Sequence, residues 1–237
     1  MSQARWSFWI DVEGFSTIYR DNDGHALQAI GLLMEAIYKI GSTIYSKAPD
    51  RFFVHQFGDG FVVVSDFPES SAERPVAIAI SLMRHLIASG VACKVSVSCG
   101  GFADVAGFYP RAVSDQSTDG YRVPIGEGLM TIIPVMGTAL IASHKLAEKR
   151  KGAVLILDNT CFKFVPKELI IRKANPSTVD WVHSNSELAG RISIAAGLSF
   201  LDSLATETSL RAYLDANKGG VTDEWIASTV ECNGLAQ

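Results

Sequence analysis

The chain has 237 residues, of which 48% are apolar and 19% charged, with a formal net charge of −4. That composition supports one sizeable domain, or a domain with an extension, and excludes a disordered chain. The acidic balance excludes a general nucleic-acid-binding surface, which needs clustered basic residues, so no nucleic-acid partner is expected.

Residues 6–12 read as a first strand, closed by Asp11-Val12 and followed by Glu13-Gly14-Phe15-Ser16. Residues 24–46 read as a helix, with Ile30, Leu33, Met34, Ile37, Tyr38 and Gly41 on one face at 3.6-residue spacing. Pro49-Asp50 ends it. Two apolar runs, 51–56 and 61–67, flank Phe57-Gly58-Asp59-Gly60. Asp-Gly between such runs signals a β-hairpin, with a type I′ turn as the simplest form. A second helix over 71–89 carries Val76, Ala79, Ile80, Met83, Leu86 and Ile87 on one face and stops at Gly90. Residues 92–98 read as a strand in which Val95 and Val97 alternate with Lys94, Ser96 and Ser98.

Residues 103–126 look like a long loop, a length that usually signals function or mobility. Strand-like 128–135 leads into a third helix, 138–150, and a strand at 153–157. Beyond Cys161 the pattern changes: a strand over 167–173, helices over 186–204 and 206–217, a stop at Gly219-Gly220, and Thr222 as an N-cap followed by Asp223 and Glu224. The expected division is a catalytic core over 1–161 and a helical C-terminal extension over 162–237, packed on the core or on a dimer partner.

The expected fold class is α/β (α+β), a ferredoxin-like antiparallel sheet flanked by helices. In that topology the first strand lies antiparallel beside the third. The end of the first then abuts the start of the third, which brings Asp11 and Asp59 together.

Cys93, Cys99, Cys161 and Cys232 show neither CxxC spacing nor paired histidines, so no zinc site is expected. The N-terminal MSQARWSFW has no basic stretch leading into a signal-type apolar core. The longest uncharged run, 128–142, falls short of the ~20 residues that span a bilayer, and Pro134 and Gly137 interrupt it. A reducing, cytoplasmic setting without a membrane partner is expected.

Taken singly, Asp59 needs no role beyond a turn and Asp11 none beyond a strand end. Taken together they can hold divalent metal. The glycine-flanked turn Gly14-Phe15-Ser16 offers backbone N–H groups to phosphate.

These residues resemble a known family. Trp9-Ile10-Asp11-Val12-Glu13-Gly14-Phe15-Ser16 resembles the first metal motif of class III nucleotide cyclases, F-x-D-I-x-G-F-[ST]. Phe57-Gly58-Asp59-Gly60-Phe61 resembles the second. Gly137-Thr138-Ala139-Leu140 with Leu146-Ala147-Glu148 resembles the third more loosely. The resemblance spans roughly residues 6–161. It implies that Asp11 and Asp59 bind two ions, manganese or magnesium, that the Val12 carbonyl binds one of them, and that Gly14, Phe15 and Ser16 wrap the triphosphate. It also implies a homodimer with composite active sites.

The departures concern the base. The family's adenine-reading lysine stands where this chain has His55, its partner acid where this chain has Pro134, its transition-state asparagine at Ile141 and its arginine at Lys145. The pattern looks closer to the pyrimidine cyclases of bacterial Pycsar anti-phage systems, which make cyclic UMP or cyclic CMP. That likeness implies UTP or CTP as substrate, His55 facing the base, Lys145 near the phosphates, and a separate cyclic-nucleotide effector. A neutral imidazole serves either pyrimidine, so UTP and CTP both stay open, with a uridylate cyclase as the favoured form. Three other readings also stay open: a purine cyclase, a cyclase-like domain that binds nucleotide as a sensor, and for His55 a plain solvent-facing strand position.

Overall fold

The computed structural model describes residues 4–15, 22–104, 109–133, 135–159, 161, 165–172 and 175–235. Ser16 and Pro134 lie outside them. Strand β1 (Arg5–Val12) leads to helix α1 (Asp23–Thr43), hairpin β2 (Phe52–Phe57) and β3 (Gly60–Ser65), helix α2 (Glu73–Ala88) and strand β4 (Cys93–Gly100). Then come β5 (Ala103–Asp104), the one-turn helix α3 (Arg111–Ser114), β6 (Arg122–Ile125), β7 (Gly128–Thr131), β8 (Val135–Met136), α4 (Thr138–Ala147) and β9 (Leu155–Leu157). The C-terminal part supplies β10 (Ile171–Arg172), β11 (Thr178–Val179), α5 (Glu187–Ala195), α6 (Ser203–Ala216) and α7 (Asp223–Cys232).

The main sheet has the order β10-β11-β9-β4-β1-β3-β2. Its β4-β1-β3-β2 half is antiparallel throughout, with α1 and α2 as crossovers, which is the ferredoxin-like arrangement. β9 joins β4 in parallel, and β11 and β10 continue antiparallel. The sheet is therefore mostly antiparallel and lies between helices. The segment after residue 161 contributes two of its strands.

Alternation along β1 assigns its two faces. Trp6, Phe8, Ile10 and Val12 enter the main core with α1 and α2. Trp9 enters a smaller cluster with Val62, Val64 and Ala147 of α4. On that same face Ser7 meets Ser143, and Ser96 and Ser98 donate to the Ser143 and Ala139 carbonyls of α4.

α2 is buried nearly all round rather than along one stripe. A helix apolar on every side needs cover on every side, and α5 and α6 supply it. Arg84 on that outer face is buried, and it donates to the carbonyls of Trp181, Val182, Ser184 and Leu201. It thereby ties the C-terminal part to α2.

Several expectations change. The buried face of α1 is Ala26, Ala29, Leu33, Ala36, Ile37 and Ile40. Met34 and Tyr38 are exposed instead and line an apolar groove of about 560 Å³ beside β2. Residues 122–125 form strand β6 within the expected loop and pair with β7, which lies in the expected strand region, as a hairpin with its reversal at Gly126, φ +65°. The expected helix over 186–204 ends at Ala195, because Gly197 takes a left-handed φ of +64°, and a new helix starts at Ser203 behind its Asp202 cap. No helix among the described residues is long and apolar enough to cross a membrane.

Candidate functional site: a carboxylate pair at the end of β1

Asp11 is the next-to-last residue of β1. Its cross-strand partners are Gly60 on β3 and Lys94 on β4. Phe57 pairs with Gly60, so the β2–β3 loop is the two residues Gly58-Asp59. Gly58 has φ +62° and no described non-glycine residue has a positive φ. That is the type II′ pattern, with glycine first, and not the expected type I′, which needs a positive φ at both positions. Asp59 thus keeps ordinary backbone geometry while Gly58 makes the reversal. Gly60 is required for a different reason: a Cβ there would lie 2.5 Å from the Trp9 ring. The indole covers that point of β3 and holds the loop against the end of β1.

The two carboxylates differ in surroundings. Asp59 is half-buried at the loop. Asp11 Oδ1 is buried and has no hydrogen-bond partner among the described residues. Burial raises the Asp11 carboxyl to about 7, Lys94 pulls it down, and Glu13 and Asp59 push it up. An unpaired buried carboxylate oxygen is costly on its own. A second carboxylate at the same sheet end makes the spot electronegative. This donor set fits a hard divalent cation, which takes one or two carboxylates and fills its other positions with water and phosphate oxygens. No cluster of three or more His, Cys, Asp or Glu suited to a metal occurs among the described residues.

The remaining expected residues fall at varying distance. Val12 buries its side chain in the main core, so only its backbone is available to a ligand. Gly14 is exposed at φ +74° with open space around it, as a backbone cradle needs, and Phe15 packs against the main core. His55 pairs with Val62, which pairs with Trp9, so His55 shares the Asp11 face, one side-chain repeat along the strands. Its ring lies 6.3 Å from that of Phe102, in a cavity of about 300 Å³ that Arg5, Phe53 and Tyr121 also line. Lys145 is exposed on α4 and makes no ion pair or hydrogen bond among the described residues. Its neighbour His144 packs edge-on against Trp9 at 4.7 Å. The fold therefore brings Asp11 and Asp59 together, sets His55 on the same face, and leaves Lys145 unattached to either carboxylate.

Sequence reasoning missed the support behind Asp11. Glu13 is buried; its Oε1 lies 2.8 Å from Lys94 Nζ, and its Oε2 accepts from Trp225 Nε1 at 2.5 Å and from the Gly152 N–H at 3.4 Å. A lone lysine in a buried strand was the available signal for Lys94. Nothing local marks Trp225 as more than a packing residue.

No protein-family model and no curated relative matches the chain. Among solved structures it is similar to the monomeric guanylyl cyclase domain of the RhoGC fusion protein from the aquatic fungus Blastocladiella emersonii, at 10% identity over 75% of this chain and 93% of that one, with a TM-score of 0.47. It is also similar to the guanylyl cyclase Cya2, at 10% identity over 74% and 89% with a TM-score of 0.43. A third is a class III adenylyl cyclase-like ATP-binding protein from Pseudomonas aeruginosa, at 14% identity over 80% of this chain and 40% of that one, with a TM-score of 0.45. Likenesses this distant carry no weight for activity.

Proposed function

We propose that this protein is a pyrimidine nucleotide cyclase, converting UTP or CTP to the 3′,5′-cyclic nucleotide and pyrophosphate. The observation that carries the reading is the β1–β3 register, which places Asp59 beside Asp11 at one sheet end while a buried Asp11 oxygen lacks a partner. The motif resemblance of 9–16 and 57–61 supplies the reaction class.

Asp11 and Asp59 would hold two ions, manganese or magnesium, with the Val12 carbonyl as a further ligand. When bound, such ions lower the pKa of a hydroxyl and neutralise a leaving pyrophosphate. The exposed backbone at Gly14, with Phe15 and Ser16, cradles the triphosphate. The 3′-oxygen forms a bond to the α-phosphorus, the bond from that phosphorus to the pyrophosphate oxygen breaks, and the 3′-hydroxyl proton is released. His55 reads the base from the aromatic-lined cavity, and Lys145 offsets phosphate charge as a point cation. The functional form is a homodimer that shares its sites, acting in the cytoplasm. The product is a second messenger in anti-phage defence, read by a separate effector. The division into a core over 1–161 and an extension over 162–237 belongs to the same reading.

One observation favours a second reading. Ile141, at the position of the family's transition-state asparagine, is an exposed apolar side chain with no hydrogen-bonding group to offer. A nucleotide-binding sensor without turnover accommodates that. The deciding experiment incubates the purified chain with each of the four NTPs and Mn²⁺ and resolves the products. A cyclic pyrimidine nucleotide is expected. Cyclic AMP or cyclic GMP as main product sinks the base assignment, and tight binding of intact NTP selects the sensor.

A further inference from the structure

We infer that the C-terminal helix α7 keeps the carboxylate pair open to cations through a relay, Trp225–Glu13–Lys94, which holds the Lys94 ammonium in an ion pair with Glu13 rather than with the neighbouring Asp11. The inference rests on the two-carboxylate reading above.

Lys94 stands directly across the ladder from Asp11. In an ordinary sheet that register makes a cross-strand ion pair. Here the ammonium pairs with Glu13 instead, at 2.8 Å, and forms no ion pair with Asp11. Asp11 Oδ1 stays unpartnered as a result.

What turns Glu13 toward Lys94 is the other end of its carboxylate. Oε2 is pinned by the Trp225 indole N–H and the Gly152 N–H, which leaves Oε1 for the lysine. Trp225 is itself fixed by the docking of α7. Gly152, at φ +109°, lies so close to α7 that a Cβ would meet Thr229 Oγ1 at 2.7 Å. The Ala153 N–H donates to the Thr229 hydroxyl, and the Asn233 amide donates to the Ala153 carbonyl.

The physical consequence is a competition. An ammonium seated on Asp11 would occupy the oxygen a metal ion needs and would add its own charge to the repulsion a metal ion meets there. Glu13 removes that competitor while keeping its charge nearby. Trp225 is then a positioning residue that acts at a distance from the ligand, and the C-terminal part acquires a role at the site.

The test is Mn²⁺ binding by calorimetry on the full chain without nucleotide, in a double-mutant cycle. Trp225→Phe removes the indole N–H without changing charge. Glu13 is then freed, Lys94 can move to Asp11, and Mn²⁺ affinity should fall by about tenfold, the size of a modest coupling. In a Lys94→Met background there is no ammonium to move, so adding Trp225→Phe should leave affinity unchanged. A merely structural tryptophan would weaken binding equally in both backgrounds, and that result overturns the inference. So does wild-type affinity in Trp225→Phe alone. If Trp225→Phe does not fold, Trp225→Leu, which likewise lacks a donor, takes its place in the cycle. A folded wild-type chain that binds no Mn²⁺ is a different failure: it removes the two-carboxylate reading itself, and the relay with it.

Discussion

Asp11 and Gly60 face each other across the β1–β3 ladder, and Asp59 is the residue immediately before Gly60. This pairing joins two distant stretches of chain at one sheet end, and each side of it can be probed separately.

Asp59 sits on a two-residue loop, half-buried, with no hydrogen bond or ion pair among the described residues. Asp59→Ala should therefore cost about 0.5 kcal/mol or less in stability, as surface changes usually do. NTP turnover should fall at least 10²-fold, by analogy with the loss of a single preorganised catalytic group. Circular dichroism melts and a product assay check the two halves. Full activity in Asp59→Ala would remove Asp59 from the site.

Gly60 has no room for a methyl group beneath the Trp9 ring. Gly60→Ala should destabilise by about 1–3 kcal/mol, the usual range for overpacking. It should also displace the loop and weaken Mn²⁺ binding. Urea denaturation gives the first quantity and calorimetry the second; an unchanged midpoint would mean that the indole is free to move.

Asp11 sets a pH dependence. Burial is the largest cause of its rise from 3.8 to about 7. Between those values the folded chain holds a proton that the unfolded chain has released. The metal-free fold should therefore lose stability as pH climbs through that window, and Asp11→Asn should remove that part of the slope. A divalent cation needs the ionised carboxylate, so Mn²⁺ affinity should rise over the same window and level off above it. Affinity that is flat from pH 5 to 8, about the range the raised carboxyl spans, would contradict the buried position of Asp11.

Arg84 gives a prediction away from the site. Its guanidinium satisfies four backbone carbonyls of the C-terminal part. Arg84→Met keeps much of the bulk and strands those acceptors. The cost should be about 3 kcal/mol, from several unsatisfied buried groups with partial relaxation. The midpoint of chemical denaturation measures it.

Much of the site was legible from short stretches of chain. The apolar run closed by Asp11 and the Gly58-Asp59 reversal are local patterns, and the strand-helix-hairpin-helix-strand order leaves few topologies. The face of α1 was less legible. Met34 and Tyr38 fit the helical period as well as Ala26, Ala29 and Ala36 do, and only the packing of α1 in the main core, beside α2 and α5, chose the alanines. The hairpin at 122–131 was obscured by Pro124, which weakens a strand reading.

The sequence by itself determined the strand-helix-hairpin-helix-strand order of the core, the place of the β2–β3 reversal and the two carboxylates, because alternation, helical period and turn chemistry act over a few residues. Only the tertiary structure decided what surrounds those carboxylates. Glu13 meets Trp225 across 212 positions of chain, and Lys94 turns from the aspartate opposite it to the glutamate beyond. Such contacts follow from which surfaces dock, and docking is settled by the burial of whole helices. No period or spacing along the chain records that outcome. The carboxylate pair was readable at its own two positions, but its unpartnered oxygen depends on a helix from the far end of the chain.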